Sequence, residues 1–101
     1  MAYVVNFLPE VRKDLDSLGH AKANQVLDVI EERIKNGEPE KAGNPLRSGL
    51  ANCRRIRTGD MRIVYRVIET NIEVLIVAVG PRRNEEVYKR AEKRLKATSR
   101  K

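Results

Sequence analysis

The chain has 101 residues, room for a single domain over 1–101 with one hydrophobic core. Its 41% apolar residues and only 10 Pro plus Gly mark an ordered globular chain rather than a disordered one. The charge is segregated: +7 overall, but −2 over residues 1–43 and +9 over 44–101, a field that suits a polyanion or an acidic protein, although basic residues also serve solubility alone.

Residues 2–7 read as a strand, because Tyr3, Val4, Val5 and Phe7 favour extended backbone. Pro9 and Glu10 then suit the first turn of a helix. Val11, Leu15 and Leu18 give that helix one apolar face, and Gly19 ends it. A longer helix follows from Ala21, with Ala23, Val26, Leu27, Ile30 and Ile34 on one stripe and Asn36-Gly37 as its stop. Residues 37–50 carry five Gly or Pro and read as loop. Three strands are expected over 52–57, 61–68 and 72–79, joined by turns short enough for a meander. The last is almost wholly apolar, as a central strand should be. Asn84 to about Ala97 reads as a helix, with Asn84 as cap and Val87, Ala91 and Leu95 as a weak stripe. The order gives an α+β domain: an N-terminal strand, a helical hairpin on one face of a mainly antiparallel sheet, and a C-terminal helix. The opposite sheet face is expected to be free for a partner or substrate.

The chemistry is narrowed by what is scarce. One cysteine cannot form an intrachain disulfide, and one histidine, His20, excludes histidine-paired acid/base catalysis. No stretch has metal-site spacing, so neither metal nor cofactor is expected. The N-terminal residues lack a signal-like pattern, and the longest apolar run, Val74 to Val79, is six residues. A cytoplasmic protein without a membrane partner is the expectation.

Arginines are abundant where strands alternate. Regular pleating puts Arg55 and Arg57 on one face of the second strand candidate, with Arg54 and Ile56 on the other. It also puts Arg62, Val64 and Arg66 together, opposite Ile63, Tyr65 and Val67. If the hairpin aligns the polar faces, Arg55, Arg57, Arg62 and Arg66 form one basic patch, with Arg82 and Arg83 following the central strand. Converging guanidinium forks bind phosphate bidentately and can stabilise a phosphodiester transition state. Tyr88 can stack on a base or pack its ring beneath the helix. Tyr65, in the apolar register, and Cys53 read as core, and His20 as a polar residue at a helix start. Single surface arginines such as Arg54, Arg66 and Arg83 are as readily explained by solvent contact.

Three segments carry a resemblance: Pro45-Leu46-Arg47 with Gly49-Leu50; Arg55-Ile56-Arg57-Thr58-Gly59-Asp60-Met61-Arg62-Ile63-Val64-Tyr65-Arg66-Val67; and Val77-Ala78-Val79-Gly80-Pro81-Arg82-Arg83-Asn84-Glu85-Glu86-Val87-Tyr88. In that order and spacing the chain resembles the RelE/ParE toxin superfamily, over nearly its whole length. The resemblance implies a RelE-like microbial RNase fold. It implies a toxin of a type II toxin–antitoxin pair that enters the ribosomal decoding site and cuts messenger RNA. There the 2′-hydroxyl attacks the adjoining phosphate, leaving a 2′,3′-cyclic phosphate and a 5′-hydroxyl. By the same resemblance Arg62 holds the phosphate, Arg82 serves near the leaving 5′-oxygen and Tyr88 orients the nucleotide. Arg47, Arg54, Arg57, Arg66 and Arg83 are candidates for further RNA contacts. The implied partners are the ribosome, its message and a cognate antitoxin whose acidic segment folds on binding; operator DNA is contacted only through that antitoxin.

The chain departs from the family pattern at the second strand. Two lysines spaced two apart are usual there; Cys53 and Arg55 stand instead. Arginine is a poor general base, so Arg55 is expected to act as a fixed charge beside the attacking oxygen while water or ribosomal RNA handles the proton. Pro81 replaces a polar or basic residue, mainly a backbone change. Two alternatives stay open: a ParE-like inhibitor of DNA gyrase, and a catalytically inactive antitoxin-binding module in operon regulation.

Overall fold

The computed structural model describes residues 3–47, 50, 52–81 and 85–99. Strand β1 (Val4–Phe7) leads into helix α1 (Val11–Leu18) and helix α2 (His20–Val29), which continues as a π-helical turn over Ile30–Lys35. Strands β2 (Asn44–Pro45), β3 (Cys53–Thr58) and β4 (Met61–Ile68) follow. A 3₁₀ turn, Glu69–Asn71, leads to β5 (Glu73–Pro81), and helix α3 (Glu86–Ser99) closes the chain. The sheet order is β1-β5-β4-β3-β2. Among the described residues the β1–β5 pair is parallel and the others antiparallel; β3, β4 and β5 form the expected meander, with β2 added at its edge. The two-residue β2 lies inside the expected loop; it has no periodicity that a sequence could display. The Asn84 cap falls outside the described residues.

The helical hairpin turns at Gly19, whose φ of 84° is a conformation that glycine adopts without a Cβ penalty. Its buried stripe is Val11, Val26, Ile30 and Ile34. These residues pack on Ile56, Met61, Ile63, Tyr65, Val74, Ile76 and Val79 of the sheet. Each such buried side chain contributes on the order of 1.5–3 kcal/mol of transfer free energy. Leu27, expected on the same stripe, is instead exposed: helical rotation carries it past the edge of the contact.

The other sheet face is not free along its length, which corrects the expectation from sequence. Helix α3 lies over β5 and part of β4, burying Val87, Ala91 and Leu95 against Val64, Val77 and Ala78. The stripe is short because its residues are small, yet small residues let the helix come close. A register shift between Val64 and Tyr65 makes both faces possible: Val77 and Ala78 both join the α3 side, while Ile76 and Val79 join the hairpin side.

One polar cluster ties the layers together. Strand β1 ends at Phe7, so β5 beyond Ile76 has no neighbour from β1. Asp14 of α1, 3% exposed, takes over that edge by accepting the Val79 N–H at 3.0 Å. Arg90 and Arg94 reach it from α3, donating at 2.9 Å and at 2.7 and 2.9 Å. Arg94 also donates to the Val77 carbonyl at 3.0 Å. The carboxylate raises the guanidinium pKa of Arg94, so the guanidinium stays charged.

Candidate functional site

Strand register decides which arginines share a face. Across β3 and β4 the pairs are Cys53 with Arg66, Arg55 with Val64, and Arg57 with Arg62. Directly paired residues point to the same side of a sheet, so Arg55, Arg57, Arg62 and Arg66 occupy one face. It is the face over which α3 lies. Arg57 is exposed, Arg55 and Arg66 are half-buried, and Arg62 is buried at 7% exposure. Arg62 also sits directly across from Gly80 of β5. A Cβ at Gly80 would strike the Arg90 guanidinium, so glycine keeps this end of the strand open for the arginines above it.

The four guanidiniums are poorly satisfied by the protein. Among the described residues none of them forms an ion pair with a carboxylate; the ion pairs lie elsewhere, at Lys22–Asp60, Lys41–Glu38, Lys96–Glu92 and around Asp14. The Nε atoms of Arg55 and Arg66 are buried without a hydrogen-bond partner among these residues. Arg62 makes one long contact, 3.5 Å from Nη1 to its neighbour's carbonyl, Met61. Buried donors of this kind are costly unless something external satisfies them. A phosphate, with several acceptor oxygens, has the matching chemistry.

Tyr88 comes to the same place. On the first turns of α3, its hydroxyl accepts a hydrogen bond from Arg55 Nη1 at 3.2 Å. The two residues sit in a groove of about 630 Å³ between α3 and the segment around Arg47. Arg47 lines this groove, so three of the sequence candidates, Arg47, Arg55 and Tyr88, meet there. Arg54 does not. It lies on the hairpin side of β3, where Nε and Nη2 donate to the carbonyls of Ala42 and Gly43 at 2.8 and 3.1 Å and hold the loop before β2. Arg82 and Arg83 lie outside the described residues.

Tyr65 is core, with its hydroxyl 2.9 and 2.8 Å from the carbonyls of Pro39 and Ala42 and its pKa raised by burial. Cys53 lies on the arginine face but is buried. Desolvation pushes its thiol pKa up despite the opposing effect of Arg66. A neutral thiol therefore stands where the family pattern has a cation. Among the described residues, no three His, Cys, Asp or Glu side chains cluster as a metal site would need, and no helix is long and apolar enough to cross a membrane.

Sequence reasoning missed Lys89, Lys93 and Lys96, which line the same groove from α3. Their i, i+4, i+7 spacing after Tyr88 was the available signal.

Comparison with known proteins shows the family and the fold. The family described as the ParE toxin of the type II toxin–antitoxin system parDE matches residues 5–86. The Escherichia coli mRNA interferase toxin RelE is 33% identical over 97 residues, covering 94% of this chain and 99% of that protein. Among solved structures, a chain of the toxin–antitoxin complex RelBE2 from Mycobacterium tuberculosis superposes with a TM-score of 0.74 at 30% identity, covering 81% of this chain and 100% of that one. The free Escherichia coli toxin RelE, bearing two arginine-to-alanine mutations, gives a TM-score of 0.66 at 31% identity, covering 94% of this chain and 99% of that one.

Proposed function

Because the chain belongs to the RelE/ParE toxin superfamily, in its RelE-like branch, we propose that it is the toxin of a type II toxin–antitoxin pair and a ribosome-dependent endoribonuclease acting on messenger RNA. The observation that carries this reading is the arginine face: four guanidiniums without a carboxylate partner among the described residues, two with buried, unsatisfied Nε atoms, beside an aromatic hydroxyl.

In the proposed reaction the 2′-oxygen of one nucleotide bonds to the adjoining phosphorus while the bond to the 5′-oxygen breaks. The products are a 2′,3′-cyclic phosphate and a 5′-hydroxyl. Arg62 binds the non-bridging oxygens and stabilises their added charge in the transition state. Arg55 supplies a fixed positive charge beside the attacking oxygen, and its hydrogen bond sets the ring of Tyr88 against a base. Arg82 is assigned from sequence to the leaving 5′-oxygen, which takes up a proton as it departs. The 2′-proton goes to water or ribosomal RNA, since guanidinium does not accept one near neutrality. Arg57 and Arg66 extend the phosphate-binding face. The antitoxin is the second partner, as the toxin–antitoxin complex containing a similar chain suggests. The +9 second half of the sequence suits its expected acidic segment.

The match to the ParE toxin family keeps one second reading, inhibition of DNA gyrase. One experiment separates the two. Purified chain is added to ribosomes programmed with a message and an open decoding site, and in parallel to a gyrase supercoiling reaction. Mapped 5′ ends within the decoding-site codon, with supercoiling intact, are expected. Arrested supercoiling with an uncut message makes the protein a gyrase poison, and no effect on either makes it an inactive antitoxin-binding module.

A further inference from the structure

The groove that holds Arg55 and Tyr88 continues along α3 beyond any residue given a role so far. Lys89, Lys93 and Lys96 line it, all exposed, opposite Arg47. Seven residues of α-helix rise about 10.5 Å, the axial length of roughly three stacked nucleotides. With Glu85 and Glu92 included, the groove keeps three net positive charges. Among the described residues, Lys96 alone of the three has an ion pair, with Glu92 at 3.4 Å and largely exposed.

The fold gains little from this ridge beyond the exposed Lys96–Glu92 pair. Lys89 and Lys93 stand four apart, and Lys93 and Lys96 three apart, so like charges repel along one helix face. The floor offers little to an amphipathic helix, since Leu50 is only 6% exposed and Leu46 is half-buried. What the groove does offer is a row of cations that begins at the Arg55–Tyr88 pair, where an aromatic ring can stack a base.

We infer that Lys89, Lys93 and Lys96 bind the phosphates of about three nucleotides of single-stranded message flanking the cleaved bond, so that α3 sets the path of the strand across the toxin. This rests on the ribonuclease reading above.

The test uses the full chain and the variant Lys89→Gln/Lys93→Gln/Lys96→Gln, with Lys13→Gln/Lys41→Gln as a control at exposed lysines elsewhere. Glutamine keeps the helix propensity, and removing like-charge pairs leaves thermal stability at or above the parent's. Affinity is measured across a salt series for three ligands: ribosomes whose decoding-site codon is 2′-O-methylated, ribosomes whose message ends before that site, and a free 2′-O-methyl RNA oligonucleotide. Three lost phosphate contacts should reduce the slope of log affinity against log salt by about 2. They should also weaken binding at least tenfold near 0.1 M salt, on message-bearing ribosomes only. The control should match the parent.

An unchanged slope and affinity overturn the inference. So does a loss of the same size on ribosomes lacking the message, which assigns the lysines to ribosomal RNA. A loss confined to antitoxin affinity, measured in parallel, overturns it in favour of the acidic partner. Should the parent neither bind nor cut on ribosomes, the ribonuclease reading fails; the free oligonucleotide then decides, a lysine-dependent slope supporting the strand path and its absence overturning it.

Discussion

Arg62 is a charge that the fold tolerates rather than uses: it is 7% exposed, and among the described residues its one side-chain hydrogen bond is a 3.5 Å approach to the Met61 carbonyl. Arg62→Ala is therefore expected to leave stability unchanged or raised, while single-turnover cleavage of a programmed ribosome falls at least about 100-fold. Denaturant unfolding and the cleavage rate check this together, and a parental rate removes Arg62 from the reaction. Arg66→Ala should be milder. For Arg55, loss of a fixed charge predicts that Arg55→Ala slows cleavage about tenfold or more, roughly 1.4 kcal/mol, while Arg55→Lys retains substantial activity. Equal rates for parent and Arg55→Ala from pH 6 to 9 would rule that role out. A different residue, Ile72, carries backbone strain. Ile72, at φ 51°, holds a β-branched side chain in the left-handed region between the 3₁₀ turn and β5. Ile72→Asn is expected to stabilise the chain by about 1 kcal/mol, seen as a higher denaturation midpoint at constant m.

Helix α3 carries Tyr88, and its hold on the sheet depends on Asp14. Removing one partner from a buried ionic cluster costs about 3–5 kcal/mol, because the remaining charges lose their counterion. Asp14→Asn should accordingly destabilise far more than breaking the exposed Lys22–Asp60 pair, and amide exchange in α3 should rise before exchange in β4 does. Equal protection in parent and Asp14→Asn would show that apolar packing alone seats the helix. None of this clasp could be read from sequence, since its partners lie 65 to 80 residues apart and no local pattern marks them. Local patterns served well where they existed. The alternation of Arg55, Arg57, Arg62 and Arg66 placed all four on one face, and Val11, Val26, Ile30 and Ile34 announced the hairpin's buried stripe. What failed was the side that α3 takes, because a stripe of Val87, Ala91 and Leu95 says that a helix packs without saying against which face. Alternation also put Arg54 on the opposite face, as found, but its candidacy for RNA contact missed that its donors go to the carbonyls of Ala42 and Gly43, a loop contact that no local pattern marks.

Across the whole molecule, two buried acids make stability depend on pH on the alkaline side. Cys53 and Tyr65 both have pKa values raised by burial in the folded chain. The unfolded chain releases these protons first, so stability is full below the ordinary thiol value of about 9 and declines as pH rises above it. A denaturation series from pH 7 to 11 should show this decline, and Cys53→Ala should delay its onset toward the tyrosine range; an identical onset would absolve the thiol. The position of β5 has a consequence in time rather than in space. This strand lies between β1 and β4, and it supplies Val74, Ile76 and Val79 to the core, yet it is made after the other four strands of the sheet. Until Glu73–Ile76 has been made, Val4–Phe7 lacks its partner in the sheet, and until Val79 has been made the helical hairpin has only part of a surface to cover. A nascent chain stopped after residue 71 is thus expected to lack cooperative unfolding and amide protection in β3 and β4, which exchange measurements on that fragment would reveal. The order of synthesis thus holds folding back until the fifth strand emerges, so that hairpin and meander wait for the strand that joins them.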